Sequence, residues 1–266
     1  MLSLIKANLP ESLEPLVIRI WYLFRPIIRI IFYGNSRYCP ICNSKCSKFL
    51  SHGPTSRRIK DVVCPVCISH KRHRLAWIYL NKFTNLIDGV SKNFLHIAPE
   101  TELAWKLKKM ENVKYFSADL GSPHAMIKMD ITAMSWHDST FDAIYCSHVL
   151  EHVSEDYKAM REIFRVLKPN GWVMIQVPIG KEVTIEDPTV TNPVERENIF
   201  WQSDHVRLYG MDIEQRLTAV GFDVKPIFGR QLVKSQDWDR MSIDPNEPIF
   251  HCRKTDEISL IRRNTL

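Results

Sequence analysis

The chain has 266 residues, of which 45% are hydrophobic and 25% charged, and its formal net charge is +6. These proportions are typical of a globular protein with one α/β domain and a small accessory module, and they exclude wholesale disorder. The mildly basic balance permits an anionic partner without requiring one. Four of the seven cysteines fall in Cys-x-x-Cys pairs and no secretory signal is visible, so we expect a reducing, cytoplasmic location.

The first predicted segment, residues 1–36, is an amphipathic helix. Its apolar run over residues 16–33 carries Arg19, Arg25 and Arg29. Each arginine near the centre of a membrane-spanning helix would cost about 2.5–3.5 kcal/mol, so the run does not predict a transmembrane span. Two interpretations stay open: an interfacial helix in peripheral contact with a membrane, or a helix docked on the protein's own core.

The second predicted segment, residues 37–74, is a small zinc-ribbon-like module. Its two Cys-x-x-Cys pairs are separated by 21 residues and consist of Cys39, Cys42, Cys64 and Cys67. Four thiolates can converge on one ion and form the closed tetrahedral site that Zn²⁺ prefers. The pattern therefore predicts a structural zinc ion and not a catalytic one.

Three further residues of this module are weaker candidates for metal binding. Cys46 is a spare or substitute ligand, and His70 and His73 lie just beyond the second pair. We interpret the two histidines as surface or supporting residues and not as ligands.

Beyond the module, helices and strands alternate. The sequence predicts a connecting helix over 75–91, an α/β domain over 92–254 and a tail over 255–266. Within the domain, short apolar strands alternate with helices, which predicts a parallel sheet covered by helices on both faces. A helix predicted over 155–167 is followed by Lys168-Pro-Asn-Gly171, a stop signal before the next strand.

Two carboxylates point to a nucleotide site in this domain. The loop after its first strand, His96-Ile-Ala-Pro-Glu100, has none of the glycines of the usual dinucleotide-binding loop. Asp119 and Asp130 nevertheless end the next two strands. The first can accept ribose hydroxyls and the second an adenine amino group, although either could instead cap a turn or a helix. Their position at the carboxyl ends of neighbouring strands favours ligand binding.

Several motifs follow in a fixed order between Phe141 and Pro178. They are a strand, His148-Val-Leu-Glu-His152, a helix, Leu167-Lys-Pro-Asn-Gly171 and another strand. This region resembles the core of class I S-adenosylmethionine-dependent methyltransferases of the methyltransferase type 11 group. The cysteine pairs and Asp204-His-Val-Arg-Leu-Tyr-Gly210 resemble a bacterial branch with an N-terminal cysteine module. The resemblance implies a Rossmann-like, seven-stranded sheet whose last strand is antiparallel.

The resemblance also implies, position by position, where S-adenosylmethionine would bind. The cofactor would lie over Ile97, Ala98 and Glu100, with its ribose at Asp119, its adenine at Asp130 and Ile131, and its methyl group beside Ser147 and His148. Methyl transfer mainly requires alignment and the exclusion of water, and a hydroxyl acceptor also benefits from a general base.

Three histidines near the predicted pocket, His148, His152 and His205, are the natural candidates for that base. His148 follows the fourth strand of the domain. His205 follows a long insertion over 180–201 that could cover the acceptor, with Asp204 or Arg207 orienting its ring. The alternatives are that His205 is structural and that His152 only packs within its helix.

Three functions stay open from the sequence. The first is O-methylation of a small-molecule or glycan acceptor. The second is RNA methylation with the cysteine module holding nucleic acid; the basic run at 71–74 favours it, whereas the lack of a base-flipping motif disfavours it. The third is a non-catalytic binding module that has lost the cofactor, which the glycine-free first loop favours.

Overall fold

The computed structural model describes residues 14–53 and 58–255, with side chains from residue 20 onward. The start of the predicted N-terminal segment, the side chain of Arg19 and the predicted tail from residue 256 lie outside the described residues. The chain forms two compact units, each assembled from separate stretches of sequence. The first unit takes residues up to 85 with 101–106 and 228–246, and the second takes 86–100, 107–227 and the residues from 247 onward.

The elements in chain order are α1 (Glu14–Ile31), β1 (Tyr33–Cys39), β2 (Ser44–Cys46), β3 (Leu50–His52), β4 (Ile59–Val63), α2 (Lys71–Lys82), β5 (Lys92–Ile97), α3 (Thr101–Leu107), β6 (Val113–Asp119), β7 (Ile127–Lys128), β8 (Phe141–Ser147), a 3₁₀ turn (Leu150–His152), α4 (Asp156–Val166), β9 (Leu167–Gln176), β10 (Ile179–Lys181), β11 (Ile185–Glu186), α5 (Pro193–Phe200), β12 (Arg207–Gly210), α6 (Ile213–Val220), β13 (Asp223–Phe228), α7 (Gly229–Leu232), α8 (Ser235–Met241) and β14 (Pro248–Arg253).

In the first unit, α1 is amphipathic and exposes its apolar stripe. The exposed apolar side chains of this stripe are Ile20, Leu23, Phe24, Ile27, Ile30 and Ile31. Two arginines of α1 bind the cysteine module: Arg25 Nε donates to the Val66 carbonyl at 3.1 Å and Arg29 Nη2 to the Cys42 carbonyl at 2.8 Å. Across the described ranges, no helix has both the length and the apolarity needed to cross a bilayer.

The helix that follows the cysteine module begins earlier than the sequence predicts. We expected it to start at residue 75, but α2 begins at Lys71 and ends at Lys82. The basic run forms its first turn because Arg74 is fully buried and donates to four backbone carbonyls. At the other end, the Thr84 hydroxyl donates to the Leu80 carbonyl and so satisfies an acceptor of the last turn.

The second unit is built on a seven-stranded mixed sheet in the order β13-β14-β9-β8-β5-β6-β7. Strand β5 runs parallel to β6 and to β8, β6 runs parallel to β7, and β8 runs parallel to β9. Strand β14 is antiparallel to β9. This arrangement confirms the Rossmann-like sheet with an antiparallel last strand. Because the chain leaves β5 and β8 towards opposite edges, their carboxyl ends form the crevice in which open α/β sheets bind ligands.

The core of this unit lies between the central strands and α4. Strand β8 is buried along most of its length, as its mainly apolar sequence predicts. Helix α4 buries Ala159, Met160, Ile163 and Val166. These positions lie on one face at the helical period, so α4 packs that face against the sheet. The buried strands hold the ends of β5 and β8 rigidly at the crevice.

The predicted stop signal does end a helix, but it does not form a separate loop. Helix α4 ends at Val166, and Lys168-Pro-Asn-Gly171 is the bulged first part of β9. The pairing with β8 moves from Phe141–Leu167 to Ala143–Trp172, so the extra residues bulge out of the ladder. Asn170 adopts the left-handed conformation there, with φ 63°.

The insertion after β9 forms a small layer of its own. Strands β10, β12 and β11 make a three-stranded sheet in that order. Helix α5 is capped by Asn192, whose side chain accepts from the backbone N–H groups of Val194 and Glu195 at 2.9 and 3.3 Å. Strand β12 belongs to the segment Asp204–Gly210, so this layer positions the residues of that motif.

Candidate functional site

A cavity of about 330 Å³ opens at the carboxyl ends of β5, β6 and β8 in the second unit. Six of the eight residues predicted to bind the cofactor line it: Ile97, Ala98, Asp119, Asp130, Ile131 and His148. The lining also includes Leu120, Met129, Val149, His152 and Val153. The volume lies in the range of about 300–1,000 Å³ that is typical of small-molecule sites.

The loop after β5 takes a glycine-like conformation without glycine. Ala98 has φ 50°, in the left-handed region that L-residues other than Gly, Asn and Asp seldom adopt. Its backbone N–H donates to the Ala118 carbonyl at 2.9 Å, which holds the loop against β6. The backbone therefore bends at the position where a nucleotide-binding loop usually carries a glycine.

Glu100, which was predicted to contact the cofactor, instead forms hydrogen bonds with side chains at the end of the sheet. Its carboxylate accepts from His96 Nε2 at 2.7 Å and from the Tyr145 hydroxyl at 3.2 Å. His96 is fully buried and accepts at Nδ1 from the Tyr115 hydroxyl at 3.1 Å. These bonds turn Glu100 away from the lining of the cavity, because the buried imidazole needs a carboxylate partner.

Asp119 and Asp130 both reach the cavity, and each also stabilises a turn. Asp119 Oδ1 accepts from the backbone N–H groups of Gly121 and Ser122 at 2.7 and 2.6 Å. Asp130 Oδ1 accepts from the backbone N–H of Thr132 at 2.8 Å. The turn-capping alternative is therefore present together with the cavity position. A carboxylate can accept about four hydrogen bonds, so capping leaves acceptor capacity at both residues.

The two residues that follow β8 diverge. Ser147 is buried, and its hydroxyl donates to Gln176 Oε1 at 3.3 Å, so its side chain does not line the cavity. His148 lines the cavity in the left-handed conformation, with φ 54°, and its backbone N–H donates to the Gln176 carbonyl at 2.7 Å. Its Nδ1 lies 3.2 Å from Glu151 Oε1. The carboxylate thus orients the His148 ring at the cavity.

His205 is placed differently from the prediction that it reaches substrate with Asp204 or Arg207 orienting its ring. It is 1% exposed and is not part of the cavity lining. Its Nδ1–H donates to the Phe200 carbonyl at 2.8 Å, and burial lowers its pKa. Asp204 instead lies 3.2 Å from Nδ1 of His152. The two histidine rings meet edge to face, with centroids 4.7 Å apart.

Arg207 binds the 3₁₀ turn that carries Glu151 and His152. Its side chain is 5% exposed. The guanidinium donates to the carbonyls of Leu150 at 3.0 Å, of Val153 and of Ser154 at 2.9 Å. Arg207 Nε also donates to Glu186 Oε2 at 2.9 Å. Asp204, His205 and Arg207 of the Asp204–Gly210 motif thus all contact this turn.

Glu151 was not among the residues predicted from the sequence, and His152 was predicted either as a candidate base or as a residue that only packs within its helix. Glu151 is fully buried beside His148, and His152 lines the cavity. The sequence carried a signal for Glu151, because this residue lies between His148 and His152 in the histidine motif. The structure adds its burial, and a buried glutamate without a partner is rare. The spacing alone did not indicate that residues 151 and 205 would meet.

In the first unit, four thiols converge as the cysteine spacing predicts. The sulfurs of Cys39, Cys42, Cys64 and Cys67 all lie within 4.8 Å of one another. The Cys39–Cys67 separation is 3.5 Å and the Cys42–Cys64 separation is 3.7 Å. A tetrahedral zinc ion with bonds of about 2.3 Å requires sulfurs about 3.8 Å apart, so the four thiols fit this ion.

The weaker candidates of the module are not part of this group of thiols. Cys46 is buried but is not one of the four, and neither histidine contributes to the group. The His70 backbone N–H donates to His73 Nδ1 at 3.3 Å, at the start of α2. Arg74 is fully buried, so it is not available to bind a nucleic acid backbone.

The segment that contains the cavity is similar to known proteins. Residues 93–175 match the family model described as "Methyltransferase domain". This region runs from β5 to β9 and includes every residue that lines the cavity. A curated relative, the ubiquinone/menaquinone biosynthesis C-methyltransferase UbiE of Salmonella arizonae, is 30% identical over 94 residues. That alignment covers 35% of this chain and 36% of the relative, so the chain spans about a third of the length of the curated relatives it matches.

Solved structures show similarity over a longer stretch at lower identity. The YcgJ protein from Bacillus subtilis is 19% identical, with a TM-score of 0.44, and the alignment covers 68% of this chain and 94% of that one. An S-adenosylmethionine-dependent methyltransferase from Archaeoglobus fulgidus is 16% identical, with a TM-score of 0.47, and the alignment covers 70% of this chain and 95% of that one. Function is therefore inferred from the matched segment and the cavity.

Proposed function

We propose that this chain is a class I S-adenosylmethionine-dependent methyltransferase. The observation that carries the proposal is the cavity at the carboxyl ends of β5, β6 and β8, lined by Asp119 and Asp130 within the segment that matches the methyltransferase domain. The glycine-free loop is compatible with cofactor binding, because Ala98 already adopts the left-handed conformation that glycine would provide.

The lining residues fit the parts of the cofactor. Asp119 would accept hydrogen bonds from the ribose hydroxyls, and Asp130 would accept one from the adenine amino group. Ile97 and Ile131 are apolar lining residues that would contact the flat base and exclude water. When bound, the cofactor supplies a methyl group activated by its sulfonium.

We further propose that the acceptor is a hydroxyl of a small molecule or a glycan, with His148 as the general base. The Nε2 atom of His148 is buried and has no hydrogen-bond partner among the described residues. Glu151 Oε1 lies 3.2 Å from Nδ1, and a carboxylate at this distance favours the tautomer with the proton on Nδ1 and the lone pair on Nε2. His148 Nε2 would take the acceptor's proton as the oxygen–methyl bond forms, while the methyl–sulfur bond of the cofactor breaks and S-adenosylhomocysteine leaves.

Calorimetric titration with S-adenosylhomocysteine tests cofactor binding. We expect micromolar binding by the wild-type chain and at least tenfold weaker binding by Asp119→Ala, because each hydrogen bond to a charged group contributes about 1.5–3 kcal/mol. Asp187→Ala is the matched control, since Asp187 is exposed in the insertion and does not line the cavity. No binding at millimolar ligand would refute the transferase proposal and support a non-catalytic binding module.

A separate proposal concerns the thiols: Cys39, Cys42, Cys64 and Cys67 bind a structural Zn²⁺ ion. Their sulfur separations support it. Cys39, Cys64 and Cys67 are also buried, so thiolates there need a cation to compensate their charge. Four protein ligands leave no open position for a reacting water, which makes the ion structural.

Metal analysis of the purified protein tests the zinc proposal. We expect Cys64→Ser to lose the zinc ion of this site and Cys46→Ser to retain it, since Cys46 is buried nearby but is not one of the four thiols. Loss of zinc from Cys46→Ser together with retention of zinc in Cys64→Ser would show that the four proposed ligands are the wrong set. A purified wild-type chain with no zinc at all would contradict the proposal.

We also propose that the chain is cytoplasmic and contacts a membrane peripherally through residues 16–33. The exposed apolar stripe of α1 and the net charge of +6 support contact with an anionic bilayer surface. We expect the chain to co-sediment with phosphatidylglycerol-containing vesicles and Ile27→Glu to abolish this binding. Val183→Glu is the matched control, because Val183 is an equally apolar exposed residue of the second unit. Equal binding by both variants would refute the contact.

A further inference from the structure

Three metal-ligating groups meet beside the cavity in the second unit. A carboxylate oxygen of Glu151 and a ring nitrogen from each of His152 and His205 lie within 4.8 Å of one another. Glu151 is fully buried and His205 is 1% exposed. His152 lines the cavity, so these residues border the site proposed above. They are called the Glu-His-His cluster below.

Both histidine rings are held by their Nδ1 atoms. His205 Nδ1–H donates to the Phe200 carbonyl at 2.8 Å, and His152 Nδ1 lies 3.2 Å from Asp204 Oδ2. A neutral imidazole with its proton on Nδ1 carries the lone pair on Nε2. Metal-binding histidines are held in this way, with the other ring N–H bound to a carboxylate or a backbone carbonyl.

The groups at the centre of the cluster are not satisfied within the described part of the chain. Oε2 of Glu151 and Nε2 of His205 are buried there without a hydrogen-bond partner. Oε1 of Glu151 is also buried without a hydrogen-bond partner among the described residues, although it lies 3.2 Å from His148 Nδ1. Lone pairs that converge in a buried space repel unless a cation lies between them.

We propose that the Glu-His-His cluster binds a divalent transition-metal ion such as Zn²⁺ or Co²⁺. Two imidazoles with one carboxylate form the ligand set of many catalytic zinc sites and of mononuclear iron sites. Mg²⁺ and Ca²⁺ prefer oxygen ligands and fit this set poorly. The cluster is separate from the four thiols of the first unit, so a fully loaded chain holds two ions.

The ion has a use that rests on the proposed function. Three protein ligands leave at least one coordination position open. Because His152 lines the cavity, an acceptor hydroxyl there can occupy the open position. A metal-bound hydroxyl loses its proton more easily, which would assist His148 in deprotonating the acceptor.

Cobalt titration of the zinc-loaded chain tests the metal site directly. The chain is first loaded with a single equivalent of Zn²⁺, which the four thiolates take up because they bind it more tightly, and Co²⁺ is then added while heat and visible absorption are recorded. We expect one equivalent of Co²⁺ to bind, with an absorption spectrum that lacks a thiolate-to-cobalt charge-transfer band. Glu151→Gln and His205→Gln should each weaken binding by more than tenfold, and Asp204→Asn by about 10- to 100-fold.

His137→Gln is the matched control, because it removes an exposed imidazole from the same unit. It should bind Co²⁺ as the wild-type chain does. The melting temperature of each variant is measured with and without Co²⁺, so that a variant that fails to fold is recognised, and Asp204→Asn, whose carboxylate is exposed, then carries the test. If the zinc-loaded wild-type chain binds no Co²⁺, or if the cluster variants bind Co²⁺ as tightly as the control does, the proposal is overturned.

The metal experiment and the cofactor experiment can fail independently. Co²⁺ binding requires no S-adenosylhomocysteine, and cofactor affinity is measured at Asp119, outside the Glu-His-His cluster. A chain that binds Co²⁺ but not the cofactor would keep the metal site and refute the transferase proposal. A chain that binds the cofactor but no second metal would do the reverse.

Discussion

Replacing Arg207 by lysine should lower the free energy of unfolding by about 3–5 kcal/mol, because at least two of its charge-assisted hydrogen bonds are lost. The arginine donates to three carbonyls around the 3₁₀ turn and to Glu186 while only 5% exposed. Lysine keeps the charge, but its single ammonium can replace only one or two of these bonds. Each lost bond to a charged donor costs about 1.5–3 kcal/mol. Urea unfolding followed by circular dichroism measures the difference.

The control for this prediction is Arg196→Lys. Arg196 also lies in the insertion layer, but it donates a single bond, to the Val190 carbonyl at 2.9 Å. A lysine ammonium can replace this one bond, so the substitution should cost about 1 kcal/mol or less. If Arg207→Lys is no more destabilising than Arg196→Lys, the guanidinium is not holding the turn that carries Glu151 and His152, and the reasoning is wrong.

Three further predictions concern other positions. Ala98→Val should lower the free energy of unfolding by about 1–3 kcal/mol, because a β-branched residue is strained at φ 50°, whereas Ala98→Gly should be tolerated; equal urea midpoints would contradict this. Gly210→Ala should destabilise by about 2–3 kcal/mol, since an added Cβ would lie 2.4 Å from the Val183 backbone; an unchanged melting temperature would contradict the packing. Burial lowers the pKa of His251 to about 4, below its unfolded value of about 6.5, so stability should fall as pH drops from about 6.5 to 4, by about 1–2 kcal/mol after discounting for partial exposure. Denaturant midpoints should vary less across this pH range in His251→Gln than in the wild-type chain. An equal pH dependence in both would show that another group causes the effect.

The sheet was predictable because its central strands are short, mainly apolar segments that alternate with helical segments. The start of α2 was not, because Lys71–Arg74 reads as a solvated basic run, whereas Arg74 is buried against four carbonyls. The bulge at Lys168-Pro-Asn-Gly171 was also missed, since proline and glycine normally end a strand.

At the candidate site, whether a residue lines the cavity was predicted better by its position at the carboxyl end of a strand than by its side-chain type. Asp119 and Asp130 reach the cavity because they follow adjacent parallel strands. Glu100 occupies a similar position, but the buried His96 takes up its carboxylate. The meeting of Glu151 with His205 depends on how the insertion layer packs on the 3₁₀ turn. Sequence spacing carries no information about such a contact.

The most direct test of the central claim is a crystal structure of the chain soaked with S-adenosylhomocysteine. We predict that the ligand fills the cavity of about 330 Å³, with its ribose hydroxyls on Asp119 and its adenine against Asp130 and Ile131. Its sulfur should point towards His148. A ligand bound elsewhere, or with its ribose away from Asp119, would contradict the account of this site.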